Sequence, residues 1–300
     1  MEKRRLGKTD MDVSVLGFGG AEIGYQNTPG ETVVELLNNA LDAGLNVIDT
    51  AECYHGSEEA IGKAISGRRN EFYLFTKCGH PRGAESAPNW SRDSILQSIE
   101  RSLQRLRTDK IDIVQLHSCS EADLRKGEAI GALQTAREKG YTRYIGYSGD
   151  SRAAHYAVES GAFDTLQTSI NIADQEAIDL TMPLAREKNI GVIAKRPIAN
   201  AAWKTGHKPI DSYQHEYYER LRKLNYDFLQ GGDLERKISI ALRFTLSVPG
   251  VHTAIVGTTK PERWRQNAEM LEQGSLSQEQ FEAIRGRWED FAPRIWVGQI

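Results

Sequence analysis

The sequence is poor in the features that mark special classes of protein. It holds three cysteines, Cys53, Cys78 and Cys119, in 300 residues, too few for a disulfide framework in a chain this long. Neither sign of charge dominates. The 38 Lys and Arg stand against 41 Asp and Glu, so there is no electrostatic reason to invoke nucleic acid or an anionic membrane as a partner. No apolar run approaches the roughly 20 residues needed to cross a bilayer. The stretch Met1-Glu-Lys-Arg-Arg-Leu6 is basic with no apolar segment behind it, so no secretory signal is expected there. Trp296–Ile300 carries no lipidation or retention motif. Low-complexity segments and obvious linkers are missing as well. These absences predict a soluble protein of a reducing, cytoplasmic compartment, with residues 1–300 in a single domain.

What the sequence does have is a repeated design. Asn46-Val-Ile-Asp49 is a strand-like apolar run that ends in an acid, and Tyr54 follows at the start of a loop containing Gly56. Phe72-Tyr-Leu-Phe-Thr-Lys77 ends in a lysine, and Ile111-Asp-Ile-Val-Gln-Leu-His117 ends in a histidine. Between and beyond them the chain alternates strands with helices. Further strands are expected at Val15–Gly20, Arg143–Ser148, Thr165–Ile170, Gly191–Ala194 and Thr253–Val256. Helices are expected over Glu31–Ala43 (apolar face Val34, Leu37, Leu41), Ser57–Ile65 (capped by Ser57), Ser91–Arg107, Leu124–Lys139, Ser151–Ser160, Glu176–Lys188, Asp233–Leu246 and Pro261–Leu271.

Counted from Leu16, this makes eight strand–helix units, the signature of an α/β fold of the (β/α)8 TIM barrel type. Two short strands around the Gly7–Asp10 turn form an N-terminal β-hairpin able to plug one end, and Ser277–Phe291 is an extra C-terminal helix. A doubly wound open sheet is the alternative. A Rossmann fingerprint fails at Gly17-Phe-Gly19-Gly20-Ala-Glu22, where glutamate stands in place of the third glycine, so these glycines read as close packing at a strand end. The connection Lys195–Gly232 is long and rich in aromatics, which favours function over disorder, and a short helix is expected within Ser212–Leu229.

In a barrel, Asp49, Tyr54, Lys77 and His117 converge on the face formed by the strands' C-terminal ends. A phenol is a poor acid at neutral pH. A lysine beside Tyr54 is expected to lower its pKa, with Asp49 holding that lysine in place. Tyr54 then serves as general acid for a developing alkoxide, and a neutral His117 donates a hydrogen bond to a carbonyl oxygen. No nucleophile is present, which points to a cofactor that delivers one.

This ordered set, Asp49-Thr-Ala-x-x-Tyr54, the strand-ending Lys77 and Leu116-His117, resembles the catalytic tetrad of the aldo-keto reductases, NAD(P)H-dependent carbonyl reductases on a (β/α)8 barrel. The resemblance covers essentially the whole chain. It implies hydride transfer between a nicotinamide cofactor and a small-molecule aldehyde, ketone or corresponding alcohol. It further implies cofactor contacts from Gly19, Gly20, Ser148, Gln167, Arg196, Gly257, Thr258, Thr259, Arg263, Gln266 and Asn267. Arg263 looks like the family's 2′-phosphate contact, which favours NADP over NAD. Gly149 stands where many members have asparagine. Ala194-Lys195-Arg196-Pro197 stands where many have a stacking tyrosine, so Arg196 either stacks through its guanidinium or, like Lys195, faces a phosphate or an anionic substrate.

Other readings stay open. Cys53/His55, Cys78/His80 and His117/Cys119 place thiol–imidazole pairs at the same three strand ends, the ligand types of a zinc site, although the catalytic reading needs no metal. The same thiols are candidates for oxidation that blocks the site. A cofactor-binding regulatory subunit with vestigial catalysis is a further class, and a homo-oligomer is compatible with the sequence. Tyr25, Trp90 and Trp203 sit in loops after strands and are the substrate-pocket candidates. Trp90 shares its loop with Pro81, Gly83 and Pro88.

Overall fold

A computed structural model describes residues 1–80, 89–292 and 295–299; Pro81, Gly83 and Pro88 of the loop before Trp90 lie outside that range. A two-stranded antiparallel hairpin opens the chain, with β1 at Lys3–Arg5 and β2 at Asp12–Ser14. Eight parallel strands follow: β3 (Leu16–Gly19), β4 (Val47–Asp49), β5 (Tyr73–Cys78), β6 (Ile111–His117), β7 (Thr142–Ser148), β8 (Thr165–Ser169), β9 (Gly191–Lys195) and β10 (Val251–Val256). Each pairs with the next in sequence, and β10 pairs with β3, so the sheet closes into a barrel with helices in the connections. This is a (β/α)8 barrel, and closure excludes the open doubly wound sheet.

The site's position follows from strand periodicity. Alternate residues of a barrel strand point inward, so an inner residue and the one two places later stack in successive layers. Val47, Phe75, Ile113, Ile193 and Ile255 form an apolar layer inside the barrel, together with Leu6, Met11 and Val13 of the hairpin region. The hairpin therefore closes the N-terminal end, as its sequence predicts. Two residues further along, the inner layer turns polar with Asp49, Lys77, Gln115 and Lys195. One apolar storey thus carries one polar storey at the C-terminal mouth.

The second core lies between barrel and helices, where Leu36, Leu37, Ile95, Ile99, Leu133 and Leu242 are fully buried. The first long helix, Gly30–Asp42, departs from expectation. Val33, Leu36, Leu37, Ala40 and Leu41 are buried, whereas Val34 is 42% exposed, so the apolar face is rotated from the one the spacing suggests. The stretch expected as one helix over Leu124–Lys139 is two, Glu121–Lys126 and Glu128–Glu138, because Gly127 takes φ 77° between them. Glu176–Lys188 is likewise divided into Glu176–Leu180 and Met182–Glu187 around Thr181. Within the long connection a helix forms at His215–Leu224. The extra C-terminal helix runs from Gln278 to Phe291, its start capped by Ser277, which accepts from the Gln280 amide.

Candidate active site

Asp49, the last residue of β4, is buried, and its carboxylate is shared among three side chains. Lys77 Nζ lies 2.5 Å from Asp49 Oδ2 and also donates to the Thr50 carbonyl at 2.9 Å. Asp49 Oδ1 accepts from Gln167 Nε2 at 2.8 Å and from Gln115 Nε2 at 3.3 Å. Ser148 Oγ in turn donates to Gln167 Oε1 at 3.1 Å. Strands β4, β5, β6, β7 and β8 are thereby tied across the mouth by one polar network. A buried lysine–carboxylate pair is tolerable only with its remaining hydrogen-bonding capacity met in this way. Gln115 escaped the sequence reading, although a glutamine in phase with His117 inside an apolar strand is its signal.

Tyr54 sits on the turn after β4, fixed by its own amide donating to Ala51 O and by its carbonyl accepting from Ser57 N. Lys77 Nζ is 5.1 Å from the centre of its ring, and the His117 ring meets it edge-on at 5.7 Å. The four residues of the expected tetrad are thus brought together. Their electrostatics differ from expectation in one respect. Tyr54 has its pKa raised well above 10, not lowered: burial of the phenol and the Asp49 carboxylate both oppose the phenolate. Lys77 Nζ is paired with Asp49 Oδ2 and the Thr50 carbonyl, so its charge faces the phenol already partly offset. His117 is pushed well below 6.5, first by burial, then by Lys77, by any charge on His80, and by Lys195 and Arg196. A protonated phenol and a neutral imidazole therefore share the site at neutral pH.

Rings extend this centre into a wall. Tyr25 contacts Tyr54 at 5.7 Å and His55 at 5.4 Å between ring centres. On the other side His80 meets His117 at 5.4 Å and Trp90 at 5.6 Å. Trp203 has no ring contact with another aromatic among the described residues and packs with Ile198 against the cluster around Tyr217 and Phe244. The thiol–imidazole pairs do not assemble into a metal site: among the described residues no group of three or more His, Cys, Asp or Glu could hold a metal ion. Cys78 is turned to the Gln115 carbonyl, His55 is exposed, and only Cys53 approaches a histidine, with Sγ 3.4 Å from His117 Nδ1.

At the end of β9 the two basic residues are internally committed. Lys195 pairs with Asp150 at 2.8 Å, and Asp150 also accepts from Thr168 Oγ1 and the Ser169 amide. Arg196, with φ 55°, donates to Ser169 Oγ and the Gln299 carbonyl, its guanidinium 5.0 Å from the centre of the Tyr213 ring. Gly149 has a physical reason to lack a side chain. A Cβ there would lie 2.4 Å from Tyr147 Oη, which is fixed by donating to Cys119 O, so this chain has no room for asparagine.

The remaining cofactor candidates cluster where β10 meets β3. Gly19 ends β3, and the Gly20 amide donates to Asp49 O while its carbonyl accepts from Ser57 Oγ. Ser57 is the first residue of its helix and spends its hydroxyl there instead of capping; Gly56, at φ 73°, is the cap. After β10, Gly257, Thr258 and Thr259 lead to the helix Arg263–Met270, where Thr258 Oγ1 accepts from the Lys260 amide and Thr259 reaches Gln26. Glu22 leans on this loop: a Cβ on Gly257 would lie 1.6 Å from its carboxylate, and burial raises its pKa. On the helix, Arg265 pairs with Glu262, whereas Arg263 has no ion pair among the described residues. Gln266 is half-buried, and Asn267 is 2% exposed with Oδ1 buried and unpartnered.

Residues 15–289 match the sequence model of the Aldo/keto reductase family. The chain belongs to that family. An uncharacterised oxidoreductase of Bacillus subtilis, YqkF, is 29% identical over 95% of this chain and 96% of its own. The L-galactose dehydrogenase of Arabidopsis thaliana is 31% identical over 66% of each chain. Among solved structures, the aldo-keto reductase AKR11C1 of Bacillus halodurans in its holo form superposes with a TM-score of 0.82 at 26% identity, over 96% of both chains. Aldo-keto reductases use nicotinamide cofactors, and residues here fit one. Asn267 Oδ1 is a buried acceptor without a donor among the described residues, and Arg263 is a cation without a counter-charge among them. The Glu22 carboxylate beside Gly257 opposes an anion there in its ionised form, and burial raises its pKa.

Proposed function

We propose that this oxidoreductase is an NADP-dependent reductase of aldehydes and ketones, acting also on the corresponding alcohols, in the cytoplasm. The observation that carries this reading is the Asp49–Lys77 pair beside Tyr54 and His117 at the C-terminal mouth of the barrel. NADPH, when bound, supplies the hydride. Tyr54 keeps its proton until the carbonyl oxygen gains negative charge and then donates it, the task of a general acid. Lys77 stabilises the phenolate left behind, and Asp49 and the Thr50 carbonyl fix Lys77 in place. His117, neutral, hydrogen-bonds the carbonyl oxygen and sets the angle at which the carbon faces the cofactor. Ser148 and Gln167 would hold the nicotinamide amide, Gly19, Gly20 and Gly257–Thr259 the pyrophosphate, Arg263 the 2′-phosphate, and Gln266 and Asn267 the adenine.

Two relatives are named as sugar dehydrogenases, the L-galactose enzyme above and the D-arabinose 1-dehydrogenase of Saccharomyces cerevisiae. Aldoses therefore belong in the first substrate panel beside activated aromatic aldehydes, which suit the ring-lined wall of Tyr25, Tyr54, His80 and Trp90. The cofactor part is tested by fluorescence titration with NADPH and NADH. Arg263→Ala should weaken NADPH by about 10- to 100-fold, the value of one charge-assisted phosphate contact, and leave NADH little changed. Equal weakening of both, or of neither, removes Arg263 from the 2′-phosphate.

A further inference from the structure

Cys53 immediately precedes Tyr54, and its sulfur is the one described side-chain atom found in hydrogen-bond contact with the His117 ring, 3.4 Å from Nδ1. A neutral imidazole carries a single N–H, on Nδ1 or on Nε2, and the partner of one nitrogen decides what the other can do. If Nδ1 holds the proton, Nε2 presents a lone pair, which repels a carbonyl oxygen. If Nε2 holds it, the ring is a donor. A thiol is a weak donor and sulfur a weaker acceptor, so the contact favours S–H pointing at the Nδ1 lone pair.

The surroundings agree with that direction. Burial pushes the Cys53 thiol up to about 11, so the sulfur carries its proton at neutral pH. The cations around His117 disfavour a second ring proton. His80, which meets the other side of the His117 ring, has its own ring hydrogen bond to the His117 backbone.

We propose that Cys53 is a positioning residue: its thiol donates to His117 Nδ1, holds the imidazole as the Nε2–H tautomer and so aims the only ring N–H at the substrate oxygen. This rests on the reductase reading for the identity of the oxygen but not for the tautomer. The turn after β4 would then carry both the acid, Tyr54, and the residue that orients its partner.

The test uses Cys53→Val, which removes the donor at similar volume, and Cys53→Ser, which keeps a donor. Nitrogen-15 correlation spectra of the histidine-labelled protein report the tautomer directly, the His117 signals being assigned by their loss in His117→Asn. Wild type and Cys53→Ser should show Nε2–H with an unprotonated Nδ1, and Cys53→Val a mixture of tautomers. With an activated aromatic aldehyde, Cys53→Val should lose about three- to tenfold in kcat, the scale of one hydrogen bond, with NADPH affinity unchanged and serine restoring the rate. A ring proton on Nδ1 in the wild type, or Nε2–H retained in Cys53→Val, overturns the proposal whatever happens to kcat. Absence of carbonyl reduction by the wild type would sink the reductase reading and leave the tautomer result standing.

Discussion

Tyr54 and His117 are moved in opposite directions by the same mouth, and the split assigns their roles. Burial holds the phenol above its usual pKa and the imidazole below, so each keeps its neutral form. In the proposed reaction Tyr54 acts protonated, a form lost only above about pH 10, and His117 acts neutral, a form lost only below about pH 6.5. The kcat for reduction should be flat between those limits. A break between about pH 7 and pH 9 that disappears in His117→Asn would contradict this assignment. At this scale the sequence showed which residues converge but not how their proton affinities balance. Spacing indicates that Lys77 is near Tyr54 and that Asp49 holds it; it does not show that the Thr50 carbonyl shares the ammonium or that burial outweighs the lysine at the phenol. Gln115 and Asp150 went unseen because each completes a network formed by residues far apart in the chain.

Among the elements, the strands were legible because burial on both faces writes an apolar run, and the runs of β4, β6, β7, β8 and β9 end in a polar residue where the barrel opens. Helix breaks were less so. Gly127 interrupts a pattern that reads as one helix, and Thr181 ends another just before Pro183, where helical spacing continues across the break. The segment after the last helix carries the least readable information. Trp296 packs on Trp288, Arg220 donates to Val297 O, and the Gln299 amide donates to Asp174, whose carboxylate also accepts from Tyr217. Asp174 is raised to about 7, first by burial and then by the Asp150 charge, against the pull of Arg220. A raised carboxylate contributes stability that is full below the ordinary carboxylate pKa and is lost as pH rises through the folded value. Asp174→Asn should therefore gain in Tm relative to wild type between about pH 5 and pH 8, read by thermal unfolding. A difference independent of pH would mean that Asp174 does not change protonation on unfolding.

For the whole molecule, the barrel's two-residue period converts a one-dimensional pattern into a site. Val47, Phe75, Ile113 and Ile193 build the apolar storey, and two places later Asp49, Lys77, Gln115 and Lys195 build the polar one. The hairpin closes the opposite end, so chemistry is confined to one mouth, where the tetrad, the ring wall and the Gly257–Asn267 stretch meet. No helix among the described residues is long and apolar enough to cross a membrane. Proton donation by Tyr54 to a carbonyl oxygen is the step on which the proposed reaction turns. The most direct measurement is steady-state reduction of an activated aromatic aldehyde with NADPH by wild type and Tyr54→Phe, with NADPH affinity measured alongside. Tyr54→Phe should lose about 10²- to 10⁴-fold in kcat at unchanged NADPH affinity if Tyr54 is the acid. Turnover by Tyr54→Phe within a few-fold of wild type would contradict it.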